Sequence, residues 1–162
     1  MERRLAAILI ADVVGYSRLS QRDEEGTRSQ FLADFKDIFE PKFAEHHGRL
    51  VKSMGDGLLV EFPSVVHAIR CGIEIQQAKA AKHTGIPADQ RLQFRIGINL
   101  GDVIIEGNDV HGTGVNIADR LQSLADAGGI VISGSAYDQV KDNVSVAWKV
   151  SGRRTSKTLR SP

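Results

Sequence analysis

The stretch 49–62, Arg-Leu-Val-Lys-Ser-Met-Gly-Asp-Gly-Leu-Leu-Val-Glu-Phe, does most to limit what this chain can become. Two apolar runs, 50–51 and 58–62, flank Gly55-Asp56-Gly57. Glycine reaches positive φ at no steric cost and aspartate is a good turn former, so the stretch predicts a tight β-hairpin. An earlier apolar run, residues 5–11, leads straight into another acid, Asp12, followed by Val13-Val14-Gly15-Tyr16-Ser17. Its unbroken apolar character suits a central strand covered on both faces. If these strands pair, Asp12 and Asp56 meet. Two carboxylates brought together in this way can hold a hard divalent cation, which keeps water and phosphate oxygens as its other ligands. Each acid alone is as well explained by a turn or a helix cap.

The remaining chain alternates helical and strand-like patterns. Residues 17–27 are polar and read as a loop. Phe31, Phe35, Ile38, Phe39 and Phe43 then recur at helical spacing up to His47-Gly48. His46 and His47 are adjacent and point in different directions on a helix, so a solvated helix end is expected there and not a metal site. Val65, Ile69, Gly72, Ile73 and Gln76 mark a second helix, running to about His83. Residues 94–100 alternate as a strand with one wet face, Gly101-Asp102 reads as a turn, and 103–105 as the returning strand. A glycine-rich loop precedes a third helix over 115–125, with Ile117, Leu121 and Leu124 expected inward. A short strand at 130–132 and a helix capped by Ser133 complete the pattern. This order predicts an α+β sandwich, one sheet with helices on a face.

Composition narrows the function classes. The chain has 162 residues, 41% hydrophobic and 25% charged, which suits one compact domain with a real core. A formal net charge of +1 offers no field that would recruit nucleic acid or an anionic membrane. Cys71 is the single cysteine, expected as a small buried core residue. No apolar run approaches membrane-spanning length, and the N-terminus lacks a signal-peptide pattern, so a cytoplasmic location is expected.

Four segments in order, 11–17, 52–57, 95–101 and 109–120, resemble the class III nucleotidyl cyclase catalytic domain of the bacterial soluble type, over roughly residues 5–140. The resemblance implies a ferredoxin-like βαββαβ core with additional elements. It assigns residues 1–145 to the catalytic domain. It implies that Asp12 and Asp56 bind two Mg²⁺ or Mn²⁺ ions per site, which would lower the pKa of a ribose 3′-hydroxyl and neutralise charge at phosphorus. Val13, Val14, Gly15, Tyr16 and Ser17 match the segment whose backbone N–H groups cradle phosphates. Lys52 and Asp109 match the base-selecting pair: an ammonium can donate to adenine N1 and a carboxylate can accept from the N6 amine. Guanine presents the opposite pattern, so these positions imply ATP. Asn116 and Arg120, at i and i+4 of the third helix, match the pair that orients the ribose and stabilises charge on the transferred phosphoryl group. The family works as a head-to-tail dimer with composite sites, and this chain carries every residue class, so a homodimer is implied.

The C-terminus departs from the family. Residues 146–162 are basic and Ser/Thr-rich, and 155–162 lack the alternating apolar face of the strand that closes the family's domain. A Leu-Lys-Asn-Ile-Ala-Glu-Pro end read one base late gives Ser-Lys-Thr-Leu-Arg-Ser-Pro. The tail is therefore expected to come from a shifted frame that also removed a downstream domain. It should be poorly ordered after about residue 150, with reduced activity. Lys157 would keep the slot of a lysine that touches triphosphate in the family. The alternative to an adenylate cyclase is a catalytically impaired pseudo-cyclase, a dimerising nucleotide-binding module. A guanylate preference is disfavoured by Lys52 and Asp109, and an unrelated nucleotidyl transferase by the match over 109–120.

Overall fold

The computed structural model describes residues 1–144, 148–150 and 156–159. Its centre is β1 (Glu2–Val13), which pairs antiparallel with β3 (Gly57–Phe62) on one side and β4 (Phe94–Glu106) on the other. Residues 6–11 are buried, as an apolar run covered on both faces requires. β2 (Arg49–Met54) closes the expected hairpin with β3. Gly55 takes a φ of 63° there, a backbone state that costs other residues energy. β6 (Ile130–Ser133) lies parallel to β4, and β8 (Ser156–Leu159) and β7 (Trp148–Val150) follow it. The strand order is β2-β3-β1-β4-β6-β8-β7, with β5 (Asp109–His111) paired to the far end of β4.

Most helices cover one face of this sheet. α1 (Tyr16–Arg22), α2 (Glu24–Asp34), a π-helical turn (Phe35–Phe39) and α3 (Glu40–Glu45) run in succession. Together with α4 (Val65–Lys82) and α6 (Gly134–Val140) they bury Leu9, Val60, Phe94 and Ile98 against Phe39, Ile69 and Val140. α5 (Thr113–Ser123) lies on the opposite face, packing Val115 and Ala118 on Ile8, Ile10 and Leu59. The helices are therefore on both faces, not one. Gly97 makes this possible: a Cβ there would collide with the Ala118 carbonyl, so only glycine lets α5 rest directly on β4.

Other local expectations are corrected. Residues 17–27 are helical, because Asp23 ends α1 and its carboxylate accepts the Gly26 N–H at 2.9 Å to start α2. β4 runs straight through Gly101 and Asp102, which pair with Ala6 and Leu5 of the long β1. The returning strand is β5 at Asp109–His111, not residues 103–105, which stay within β4. Leu124 caps α5 and is 62% exposed. In the tail, Ser156–Leu159 is a strand after all, since β6 offers an edge whose backbone groups take a partner irrespective of side-chain alternation. Residues 151–155 and 160–162, and the order expected to be lost there, lie outside the described residues. His46 is half-buried and sits 2.9 Å from Glu74, and Lys42 bonds both Glu45 and Glu74, which makes the helix end an ion-pair cluster.

Asp34 is fully buried at the end of α2 and accepts from Lys79 and, at 2.6 Å, from Lys82. Lys79 is itself buried, 5.6 Å from the centre of the Phe94 ring. Burial pulls the Lys79 ammonium down from its ordinary range, and Asp34 opposes that pull. Asp34→Asn removes the counter-charge but leaves the lysine in the core. We expect a loss on the order of 3 kcal/mol of stability, read as a lower midpoint in urea at unchanged slope. An unchanged midpoint would sink this reading.

Candidate functional site

The C-terminal end of β1 and the β2–β3 turn bring the two predicted acids together. Asp12 is the register partner of Gly57, so its side chain stands beside the hairpin that carries Asp56. The two carboxyl groups are close enough for each to act on the other's charge. Burial first, then the charge of Asp56, push Asp12 up to about 6 from its ordinary 3.8, while the Val13 N–H, 3.1 Å from Oδ1, pulls the other way. Like charges forced together favour a bound cation or a retained proton. The donor set is hard oxygen throughout, which fits Mg²⁺ or Mn²⁺.

The segment that follows is only partly free to meet a ligand. Val13 N–H also lies 3.4 Å from the Asp56 carbonyl, and Val14 N–H donates to the Gln93 carbonyl at 2.8 Å. These bonds seal the strand end, so of the predicted cradle Val13–Ser17 the backbone donors without a partner among the described residues are those of Gly15, Tyr16 and Ser17 at the start of α1. Gly15 holds a φ of 68° there, turning the chain from strand to helix.

Lys52 on β2 and Asp109 at the start of β5 are 57 residues apart in sequence and meet at 2.8 Å. Asp109 also accepts the Val110 N–H at 2.8 Å. The Lys52 ammonium holds the Asp109 carboxyl below its ordinary value. Both side chains are substantially exposed, presenting a donor and an acceptor side by side. Asn116 and Arg120 lie on the exposed side of α5, one turn apart, away from the stripe of Val115, Ala118 and Leu121. Among the described residues neither makes an ion pair, and Arg120 is not joined to Asp12 or Asp56 of its own chain. Lys157 falls within β8, opposite Ile132.

Arg95 is missing from the sequence-derived set. It is the register partner of Asp12 across β1 and β4, so both side chains leave the same face. Its Nε is buried with no hydrogen-bond partner among the described residues. A charge interrupting an apolar strand in line with Asp12 was the available signal, but the register of that pair is invisible until the strands are aligned.

Comparisons with known proteins bear on the whole of this arrangement. The family model described as the adenylate and guanylate cyclase catalytic domain matches residues 2–158. A Rhizobium meliloti protein provisionally named adenylate cyclase 3 is 44% identical over 162 residues, covering 100% of this chain and 28% of its own length. An adenylate cyclase of Streptomyces coelicolor is 33% identical over 132 residues, which is 82% of this chain and 33% of that protein. The chain thus spans about a third or less of these two relatives. The crystal structure of an adenylate/guanylate cyclase/hydrolase from Silicibacter pomeroyi superposes with a TM-score of 0.91 at 35% identity, covering 99% of both chains. No helix among the described residues is long and apolar enough to cross a membrane. With the fold, the paired aspartates and a family match running from β1 to β8, the chain belongs to the adenylate and guanylate cyclase catalytic domain family.

Proposed function

We propose that this domain is an adenylate cyclase that converts ATP to 3′,5′-cyclic AMP and pyrophosphate as a homodimer with composite sites. The meeting of Asp12 and Asp56 at the end of the central strand carries this reading. These two acids would hold two Mg²⁺ or Mn²⁺ ions, which when bound supply charge neutralisation at the triphosphate and acidify the ribose 3′-hydroxyl. Gly15, Tyr16 and Ser17 would donate backbone N–H groups to phosphate oxygens, and Arg95 would add a guanidinium on the same side. Lys52 and Asp109 would clasp the adenine edge, the ammonium donating to N1 and the carboxylate accepting from N6. Asn116 and Arg120 face outward and would serve the partner's metal acids, with Asn116 orienting the ribose and Arg120 meeting charge that develops on the α-phosphoryl group. The 3′-oxygen attacks the α-phosphorus in line. An O–P bond forms, the bridging P–O bond to the β-phosphate breaks, pyrophosphate departs and the hydroxyl proton is released.

The test is cyclic AMP formation from ATP and Mn²⁺ by the purified protein, with Asp56→Ala as control. Product that vanishes in the control supports the reading. ATP and Mn²⁺ binding without product favours the pseudo-cyclase. Base choice gives a separate prediction. Lys52→Glu with Asp109→Asn turns the donor into an acceptor and the acceptor into a donor. It should lower kcat/KM for ATP relative to GTP by at least ~100-fold, since mispaired polar groups are costly in a site built to hydrogen-bond. An unchanged ratio would remove this pair from base selection.

A further inference from the structure

We infer that Asn99 is a positioning residue that sets the register of α5 on the sheet and so places Asn116 and Arg120. This rests on the proposed roles of those two residues. α5 touches β4 through backbone at both ends of the contact. A Cβ on Gly97 would strike the Ala118 carbonyl and the Gln122 amide, and a Cβ on Gly114 would lie 2.5 Å from the Asp102 carbonyl. Such glycine-to-backbone contacts are close but smooth, and the apolar packing beside them, Val115 and Ala118 on Ile8, Ile10 and Leu59, is non-directional. Asn99 stands between these two contacts on the same face of β4, opposite Ile8 and 2% exposed. Its Nδ2 donates to the Gly114 carbonyl at 3.0 Å. Among the described residues this is the one side-chain hydrogen bond tying α5 to the sheet. It grips the first turn of the helix. Arg120 lies six residues further along, about 9 Å at the α-helical rise, so a slip at Gly114 is carried whole to Arg120.

A misplacement of about 1 Å in a catalytic group can cost ~100-fold. Asn99→Asp keeps the shape but replaces the donor by an acceptor facing a carbonyl. It should lower kcat ~10- to 100-fold with a smaller change in KM for ATP, because Lys52 and Asp109, proposed to hold the base, lie on other elements. Composite sites add a readout that general damage would not give. An Asn99→Asp chain keeps sound metal acids. Mixed with Asp56→Ala it should form one complete site, whereas mixed with Arg120→Ala it should not. Amide exchange should quicken at residues 114–118 and stay unchanged in β1. If Asn99→Asp does not fold, Asn99→Ala takes its place. Failure of both to fold would make Asn99 a core residue only and overturn the inference, as would unchanged kcat with unchanged exchange, or equal rescue by both partners. Absence of cyclic AMP from the wild-type chain would instead remove the proposed function, and the exchange measurement would still decide the register.

Discussion

Mixing Asp56→Ala chains with Arg120→Ala chains should restore cyclic AMP formation that neither gives alone, if the proposed composite sites hold. Asp56 stands at the hairpin turn beside Asp12, while Arg120 projects from the exposed side of α5 and makes no ion pair with either acid among the described residues. Removing the Asp56 carboxylate should destroy metal binding in the site that its own chain supplies. Removing the Arg120 guanidinium should leave the developing phosphoryl charge uncompensated, a loss of at least ~1,000-fold by analogy with charge-stabilising arginines in phosphoryl transfer. Within a mixed dimer one site inherits both defects and the other inherits neither. Random pairing makes half of the dimers mixed, each with one complete site of two, so about a quarter of wild-type activity returns. Activity that stays at the level of the separate variants would place all the machinery within one chain and end the composite-site reading.

Legibility in the sequence followed the range of the forces involved. The hairpin at Gly55-Asp56, the buried run of β1 and the helical stretch expected to end near His47-Gly48 are written in local signals, and the structure has all three, the last closing at Glu45. The approach of Asp12 to Asp56 was foreseeable because both acids terminate strands whose apolar runs demand a common core. The straight course of β4 was not foreseeable from Gly101-Asp102. A glycine followed by an aspartate looks like a turn, but the length of β1 gives those two residues partners at Ala6 and Leu5. α5 on the second face was hidden for a related reason. Gly97 looks like a gap in a wet strand face until a helix backbone occupies it. Arg95 illustrates the same limit at the candidate site, because its neighbour Asp12 is 83 residues away and only the register brings them together. In the tail, the poor alternation of residues 155–162 spoke about side chains, whereas β8 forms through the backbone edge of β6.

Asp12→Asn should melt above the wild type at neutral pH without metal, while losing catalysis by at least ~1,000-fold if Asp12 is the metal ligand proposed above. Burial and the facing Asp56 carboxylate raise Asp12 to about 6 from 3.8. A carboxyl raised on folding binds its proton more tightly in the native state than in the unfolded chain. Its contribution to stability is therefore fully present below about pH 4 and is lost as pH rises through about 6. At pH 7 the metal-free protein carries two crowded carboxylates and has lost that contribution. Asparagine keeps the shape, can donate to Asp56 and does not ionise. Asp12 is only part-buried, so water screens much of the repulsion. The net gain is on the order of 1 kcal/mol, or ~2–4 °C in Tm for a domain of this size. Calorimetric scans at pH 4 and pH 7, with and without Mn²⁺, test both halves. The difference between variant and wild type should open only at the higher pH, and Mn²⁺ should raise the wild type alone. A variant that melts below the wild type at pH 7 without metal would show that the Asp12 carboxylate is not strained by Asp56, and the metal would then have no repulsion to relieve.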